Sequence, residues 1–513
     1  MLKQVRRDRK FIIVNTDKNL GPSIMEIDLY IRRAWEDHLL DSTTYKKLTK
    51  FEADVINDDN FQWICDNILD HQLSIIPTHE KKFFMDTIAG PRDGNGRLHP
   101  KETTQLPYFY LMPKVHKTPW KTRPVVSGVS SVMEPLSKFL DTQLQRVVHL
   151  CPYYLKDSWH FLNDIQELDS FPFAKLITSD ANAMYTNINT EHAIEIFHKW
   201  FYIHSHHLPP DFPTVLVLQG LERLMKYNVF LFGNNYFHQL NGTAMGTNIA
   251  CMYATIYYSY HEETVIQHNT DIIFYQRLID DAFIIVKDNI DMINLTTILD
   301  SFGPAHKRLI WDTNTPSNSV DFLDLTITIS TSGILTTKTY QKPQNTYLYW
   351  TPNSCQPPSY LKSFVYSSLH RYYWQNSQKS DYDTMVRLLH DCLLARGHTE
   401  DDLAPIFISS MEKVQKSSLP DPRIKLNKNT STVPITSSNE NNLFLHYQYN
   451  PNNPSNQEIK ALALNFQSEL DKLGFKVDRI IKSYSRPPNI GNICKKHRLE
   501  ESIDTTYKYL SPT

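Results

Sequence analysis

The sequence has 513 residues, of which 41% are hydrophobic and 12% aromatic, so the chain can bury a large core and form several subdomains. Its formal net charge of −2 argues weakly against nucleic-acid binding until the charge is examined locally. The start does not resemble a signal peptide, and no apolar run approaches the length of about 18 residues that a membrane helix needs. We therefore expect an intracellular chain with reduced thiols and no membrane partner; its six cysteines lack the spacing of a zinc site.

The first part of the chain, residues 1–95, is interpreted as an N-terminal extension. It combines a strand-like run at Phe11–Val14 with a helical pattern at Ile24–Leu40, and a turn is expected between them. The segment Pro91–Pro100 is rich in Gly, Pro and charged residues, so we place a domain boundary there.

A basic and aromatic segment follows at Leu106–Arg123. It contains four Lys or Arg residues and no Asp or Glu, and aromatic residues are interleaved with them. Tyr108–Met112 and Arg123–Val126 are predicted strands, and the polar stretch Lys114–Lys121 connects them. Such a run is often only a solvated face, but the interleaved rings equally favour a phosphate or nucleic-acid contact.

The next motif lies in Ala174–Ile188 and reads AKLITSDANAMYTNI. Its apolar, strand-like run ends at Asp180, and Tyr185 follows in a turn before a helix that Thr190 can cap. The apolar face of that helix is expected to pack in the core and comprises Ala193, Ile196, Phe197 and Trp200. By itself Tyr185 is more typical of a core aromatic residue. It becomes a candidate site residue only because Asp180 lies five residues before it.

A glycine-containing loop occupies Gln239–Ala250 and leads into a helix-compatible run. Gly242 and Gly246 would let the backbone approach a nucleotide closely, because glycine has no Cβ atom. Two glycines four residues apart occur in many ordinary loops, so this motif is informative mainly through its place between two acidic segments.

The second acidic segment, Phe274–Lys287, reads FYQRLIDDAFIIVK and predicts a β-hairpin whose tight turn carries Asp280 and Asp281. Alone, the dipeptide is compatible with a solvated turn. With Asp180 on a separate strand, however, it supplies three carboxylates for two-metal phosphoryl transfer. These three aspartates are our candidate catalytic residues and metal ligands, with two Mg²⁺ ions as the expected cofactor and Mn²⁺ as an alternative.

The order of these motifs resembles that of the reverse transcriptases of Penelope-like retroelements. The resemblance is carried by the sequences MYTNI, NGTAMG and RLIDD, and by VDFLDLTI at Val320–Ile327. The segment Lys114–Gly128 is similar to the fingers motifs of that family, and Asp17–Met25 to its N-terminal lead-in. The resemblance continues at Gln341–Ser363 and Ser483–Asn492, so it covers nearly the whole chain.

The resemblance implies roles for individual residues around the incoming nucleotide. Its triphosphate is expected to contact Lys114, Lys117 and Arg123, with Arg123 favoured for bidentate phosphate binding. Tyr185 matches the position that rejects ribonucleotides by a clash with the 2′-hydroxyl. The nucleotide-binding loop would contribute Met245 and Gly246.

The C-terminal region, residues 336–513, is expected to form a thumb-like region with a disordered insertion at residues 425–442. Lys307, just before it, matches a position near pyrophosphate in reverse transcriptases. Many family members carry a GIY-YIG endonuclease beyond the closing SRPPN stretch, and too few residues follow here to form one. We therefore expect extension of pre-existing 3′ ends, unless another chain supplies a nuclease or the gene model is truncated.

Together these observations predict an α+β right-hand polymerase with an N-terminal extension, fingers and palm in residues 96–335, and a thumb. We expect an RNA-directed DNA polymerase of a mobile element that uses an RNA template, a DNA primer and deoxynucleoside triphosphates. It would be nuclear for part of its life cycle, or cytoplasmic. The alternatives are an RNA-dependent RNA polymerase, against which Tyr185 argues, and a decayed nucleic-acid-binding protein, against which the three intact aspartates argue.

Overall fold

The computed structural model describes residues 10–69, 76–304, 308–343, 347–357, 359–416, 442–448, 456–474 and 479–485, together with residues 450, 499 and 503–505. Two predictions therefore lie outside the described residues: the role of Lys307 and, apart from Asn442, the insertion at 425–442. The chain forms two compact units. The first comprises residues 1–323, 328–335 and 494–513, and the second comprises residues 324–327 and 336–493. The predicted boundary near residue 95 lies inside the first unit.

The N-terminal 100 residues alternate short strands with helices. The strands are β1 (Phe11–Asn15), β2 (Pro22–Glu26), β3 (Tyr45–Leu48), β4 (Ala89–Arg92) and β5 (Leu98–Pro100), and the helices are α1 (Ile27–Ala34), α2 (Lys50–Ile64) and α3 (Thr78–Ile88). The helix predicted from Ile24 was wrong at its start, because Ile24 lies in β2 and pairs with Ile13 of β1.

The rest of the first unit supplies the larger sheets and the helices that cover them. Its strands are β6 (Tyr108–Lys114), β7 (Lys121–Ser127), β8 (Lys175–Asn182), β9 (Val229–Phe232), β10 (Asn235–Gln239), β11 (Ile272–Leu278), β12 (Asp281–Val286), β13 (Ile310–Thr313) and β14 (Ser319–Phe322). Its helices are α4 (Glu134–Val147), α5 (Ser158–Gln166), α6 (Thr190–Ile203), α7 (Thr214–Lys226), α8 (Ala250–Val265) and α9 (Met292–Leu299).

The remaining elements lie wholly or largely in the second unit. They are β15 (Leu325–Ile329), β16 (Leu335–Thr339), α10 (Tyr360–Gln375), α11 (Lys379–Ala395), α12 (Glu400–Lys416), β17 (Asn442–Gln448), α13 (Asn456–Lys472) and β18 (Arg479–Ser485). Helices α10 to α12 share an apolar core in which Val365, Leu369 and Leu403 are fully buried.

A five-stranded sheet in the first unit has the strand order β3-β10-β9-β6-β7. Strand β6 alternates half-buried and buried residues, as expected for a strand with one face on a core. The N-terminal elements pack on that face, since Tyr30 of α1 is buried with Phe109 and Phe232, and its hydroxyl accepts a hydrogen bond from the Leu111 amide at 2.8 Å.

A four-stranded sheet has the order β11-β12-β8-β13, with β8 paired antiparallel to both β12 and β13. Helices α4, α6, α7 and α8 contribute to a core that also includes Ile177 and Ile284 of this sheet. The predicted core face of α6 is confirmed by the burial of Ala193, Phe197 and Trp200. The helix cap was predicted one residue late, because the Asn189 side chain, not that of Thr190, accepts the hydrogen bond from the His192 amide.

Thr505 ties the last described residues of the chain to the β9–β10 turn. Its hydroxyl donates to the Phe232 carbonyl at 2.7 Å, and its carbonyl accepts a hydrogen bond from Trp35 Nε1 at 2.7 Å. At Gly233, where φ is +56°, an added Cβ atom would lie 2.3 Å from Thr505 Cγ2. The docking of this segment therefore requires glycine in the turn. None of the described helices is long and apolar enough to cross a membrane.

We expect Gly233→Ala to lower the free energy of unfolding by about 2–4 kcal/mol. The cost of an alanine in the left-handed backbone region and the cost of the buried clash with Thr505 add together. Chemical denaturation of the full chain measures the change. Gly94→Ala is the matched control, because no atom lies within 4 Å of its added Cβ, and its effect should stay within about 0.5 kcal/mol. Equal midpoints for the two variants would show that Thr505 does not need the space at Gly233.

Candidate active site

The candidate site begins with the register of the four-stranded sheet. Asp180 near the end of β8 pairs with Asp281 of β12 on one side and with Asp312 of β13 on the other. Directly paired residues on adjacent strands lie on the same face of a sheet, with Cβ atoms roughly 4.5–5.5 Å apart. The sheet therefore brings two of the three predicted aspartates together and adds a carboxylate, Asp312, that the motif analysis had not identified.

The third aspartate lies in the turn of the β11–β12 hairpin. The pair formed by Leu278 and Asp281 closes this hairpin and leaves Ile279 and Asp280 as its two-residue turn. The predicted hairpin is therefore confirmed, with the difference that Asp281 is the first residue of β12. The carbonyl of Asp280 accepts a hydrogen bond from the Ala181 amide at 2.8 Å, which ties the turn to β8.

The backbone of this turn is strained at Ile279, where φ is +56°. Two-residue hairpin turns need a positive φ, which glycine or asparagine usually supplies. A β-branched residue in that region is a conformational outlier. Such strain persists only where the surroundings hold it in place.

The electrostatics of Asp180 reflect its crowded position. Partial burial raises the pKa of Asp180, and the nearby charges of Asp280 and Asp312 raise it further. The positive charges of Lys117 and Lys18 act in the opposite direction. The three carboxylates thus lie near two lysines that come from distant parts of the chain.

The donor set fits a divalent cation in its chemistry. Carboxylate oxygens are the ligands that Mg²⁺ and Mn²⁺ prefer, and a cation would relieve the repulsion that raises the pKa of Asp180. No group of three or more His, Cys, Asp or Glu side chains in the described part of the chain is arranged to hold a metal ion without movement. The aspartates are therefore placed near one another by the backbone but are not closed into a cage.

The glycine loop joins this sheet to the five-stranded one. The amide of Gly242 donates to the Ile188 carbonyl at 2.8 Å, and the amide of Thr243 donates to the Tyr185 carbonyl at 2.9 Å. Farther along, the Met245 carbonyl accepts a hydrogen bond from the Val126 amide of β7 at 2.8 Å. Met245 is half-buried, and the loop connects β7 to the segment after Asp180.

Both glycines permit a close approach of backbone segments, but the approach is to the chain itself. A Cβ atom at Gly242 would lie 2.8 Å from the Tyr185 carbonyl oxygen, and one at Gly246 would lie 2.6 Å from the Val126 carbonyl oxygen. Their φ angles of +78° and +118° also favour glycine. Contact of Gly246 with a nucleotide stays a prediction.

Tyr185 lies between this loop and the acidic turn. Its hydroxyl is 3.4 Å from the Sγ atom of Cys251 in α8, and its ring is half-buried against the main core. Burial raises the pKa of Tyr185 well above its usual value, and the charges of Asp280 and Arg123 also act on it. The Tyr185 phenol is therefore neutral. It lies close to both Asp280 and Arg123.

The predicted basic residues are gathered on the β6–β7 hairpin. Burial lowers the pKa of Lys114, and the neighbouring positive charges of Arg123 and Lys117 lower it further. Arg123 pairs with the buried Asp17 at 3.4 Å. Lys18, next to Asp17 in the β1–β2 connection, joins this basic cluster. It was not among the residues predicted from the sequence, where its segment showed only a turn-forming pattern and a resemblance to the N-terminal lead-in.

No family model and no curated protein matches this sequence. Among solved structures, the telomerase from Candida albicans in complex with the TWJ fragment of telomeric RNA is 12% identical, with a TM-score of 0.50 over 82% of this chain and 68% of that chain. The apo telomerase from Candida tropicalis is 12% identical, with a TM-score of 0.41 over 83% and 70% of the two chains. The Sicinivirus 3Dpol RNA dependent RNA polymerase is 11% identical, with a TM-score of 0.38 over 79% and 91%.

The likeness to the Candida albicans telomerase concerns the fold. It confirms the predicted α+β right-hand polymerase fold. The acidic groups described above lie on the four-stranded sheet and its β11–β12 turn, and the basic groups lie on the β6–β7 hairpin of the five-stranded sheet.

We expect two substitutions to move the pKa of Asp180 in opposite directions. Asp280→Asn removes a negative charge and should lower this pKa, whereas Lys117→Ala removes a positive charge and should raise it further. Carboxyl NMR titration of selectively labelled protein without divalent cations measures both shifts. A shift in the same direction for both variants would contradict the charge arrangement described here.

Proposed function

We propose that this protein is an RNA-directed DNA polymerase of the Penelope-like retroelement type. The observation that carries the proposal is the β8–β12 register, which sets Asp281 opposite Asp180 beside the turn that holds Asp280. Aspartates on separate elements of one sheet are what two-metal nucleotidyl transfer requires. The motif strings of the sequence support the Penelope-like assignment.

The three aspartates would hold the metal ions. When bound, Mg²⁺ supplies activation of the primer 3′-hydroxyl and neutralisation of the charge that develops on pyrophosphate. Asp180 and Asp281 orient their carboxylates from neighbouring strands, and Asp280 contributes from the turn. The fixed palm sheet lowers the cost of positioning these groups during the reaction.

The basic cluster of the fingers would bind the triphosphate. Lys114, Lys117 and Arg123 come from one hairpin, and the charge of Lys117 already acts on Asp180. Arg123 offers a planar fork suited to bidentate phosphate contact, and its Nη1 atom pairs with Asp17 at 3.4 Å. Positive charge from the fingers thereby meets negative charge from the palm at the place where a nucleotide would bridge them.

Tyr185 supports deoxynucleotide selection. Its backbone lies against Gly242, where an added Cβ atom would be 2.8 Å from the Tyr185 carbonyl oxygen, and its hydroxyl is 3.4 Å from the Sγ atom of Cys251. A tyrosine fixed at its backbone and at its hydroxyl is a suitable wall against a 2′-hydroxyl. The proposed partners are accordingly an RNA template, a DNA primer and deoxynucleoside triphosphates, and the RNA bound in the Candida albicans telomerase structure is consistent with a nucleic-acid template.

We expect Asp180→Asn to reduce primer extension on an RNA template by about 100-fold or more, because a metal ligand is lost from the palm. Binding of a primer–template duplex should change little, since phosphate contacts lie elsewhere. Asp288→Asn is the matched control, because the exposed Asp288 follows the other end of β12 and pairs only with Lys175 among its described ion pairs. Unchanged extension by Asp180→Asn would remove the two-metal assignment.

We expect Tyr185→Ala to lower the preference for deoxynucleotides over ribonucleotides by about 10–100-fold, because the wall against the 2′-hydroxyl is removed. The ratio of incorporation efficiencies for the two nucleotide classes measures this. Tyr185→Phe keeps the ring, loses only the contact with Cys251, and should retain the wild-type ratio. A wild-type protein that already prefers ribonucleotides would favour an RNA-dependent RNA polymerase instead.

A further inference from the structure

A buried ion pair lies directly behind the turn that carries Asp280. Arg277 is the third residue before Asp280, and its side chain is 2% exposed. Its partner Glu262, near the end of α8, is 1% exposed. Charged residues are rarely buried to this degree unless they are paired, and neither belongs to the metal or nucleotide groups described above.

The guanidinium group of Arg277 contacts two elements, helix α8 and the β11–β12 turn. Its Nε and Nη2 atoms donate to the carboxylate of Glu262, with Nη2 and Oε2 3.0 Å apart. Nη2 also donates to the Thr255 carbonyl of α8 at 3.1 Å. Nη1 donates to the carbonyl of Ile279 at 2.8 Å. Glu262 is held in turn by the Tyr275 hydroxyl at 2.8 Å.

The backbone of Arg277 is fixed as firmly as its side chain. Its amide donates to the Tyr153 carbonyl at 3.0 Å, and its carbonyl accepts a hydrogen bond from the Leu155 amide at 3.0 Å. The chain around Tyr154 thus forms a bridge to β11 at this residue. Both ends of the residue are anchored, so the position of Nη1 relative to the turn is defined.

Stability alone is a weak reason for this arrangement. Burying an ion pair costs desolvation that the attraction between the charges often only offsets, and apolar replacements of both partners are frequently neutral. The strained turn gives a stronger reason, because Ile279 has a positive φ and its carbonyl is one of the atoms that Arg277 holds. Arginine suits this task, since its planar fork reaches several acceptors in fixed directions, whereas lysine offers a single point charge.

We propose that Arg277, oriented by Glu262, is a positioning residue for nucleotidyl transfer: it fixes the Ile279 carbonyl and thereby the direction in which Asp280 leaves the turn. The pair also connects the turn to α8, which begins at Ala250 directly after the glycine loop. The buried Arg277–Glu262 pair thus connects the turn that carries Asp280 to the helix that follows the glycine loop. This inference rests on the proposed polymerase function.

The decisive variant is the double substitution Arg277→Met with Glu262→Met in the full chain. It removes both charges together, so no unpaired charge stays buried, and the protein is expected to fold with a melting temperature near that of the wild type. The turn loses its support, and kcat for primer extension should fall by about 100-fold, the effect of a misplacement of about 1 Å at a reacting centre. KM for the deoxynucleotide should change by less than about threefold, because the triphosphate contacts are kept.

A second measurement does not depend on activity. The Ala181 amide donates to the Asp280 carbonyl, so its hydrogen exchange reports whether the turn is in place. We expect this amide to exchange about 10-fold faster or more in the double variant, while amides of the β8–β12 ladder away from the turn keep their protection. Tyr275→Phe is the matched control, because it removes one partner of Glu262 and leaves the contact from Arg277 to Ile279.

Arg277→Lys provides a further test if the double variant does not fold. It retains a positive charge for Glu262 but cannot reach Glu262 and Ile279 together, so kcat should fall about 10-fold in a folded protein. Wild-type kcat together with wild-type exchange at Ala181, in either folded variant, would overturn the proposal and leave the pair a packing feature. Absence of extension by the wild-type protein would count against the proposed function, and the exchange of Ala181 would still decide the positioning role.

Discussion

The candidate site depends on the antiparallel register of β8 and β12. This register sets Asp281 opposite Asp180, and apolar residues fix it. Phe283, on the same face as Asp281, packs against Phe161 and Phe322 with ring centroids 4.9 and 5.5 Å apart. A slip of one residue would turn Phe283 to the other face and separate the aspartates. The geometry of the polar end of the sheet is therefore a consequence of packing at its apolar end.

The individual strands and the turn of the candidate site could be predicted from the sequence. The strands that carry Asp180 and Asp281 are apolar runs interrupted by a carboxylate, and both the runs and the tight turn are local patterns. The same holds for α6, whose apolar spacing predicted the burial of Trp200. Local pattern sufficed wherever a residue's position is determined by its own element.

Features that depend on pairing between distant segments were not predictable in this way. Ile24 has the spacing of a helix, yet its pairing with β1 makes it part of a strand. Lys18 and Asp312 approach Asp180 only through strand pairings and packing that no local pattern specifies. For Gly246, the sequence shows the missing side chain but not that the Val126 carbonyl takes its space.

The region around the β11–β12 turn carries two free-energy costs. Burial and like charges raise the pKa of Asp180, so the folded state binds a proton more tightly than the unfolded chain, and stability decreases as pH rises from the unfolded pKa to the folded one. The positive φ of Ile279 adds a cost that does not depend on pH. A bound divalent cation would remove the first cost and leave the second, so metal binding and stability are linked through the carboxylates alone. The strain at Ile279 must instead be offset by the protein, and the contact from Arg277 to its carbonyl is where the structure provides that support.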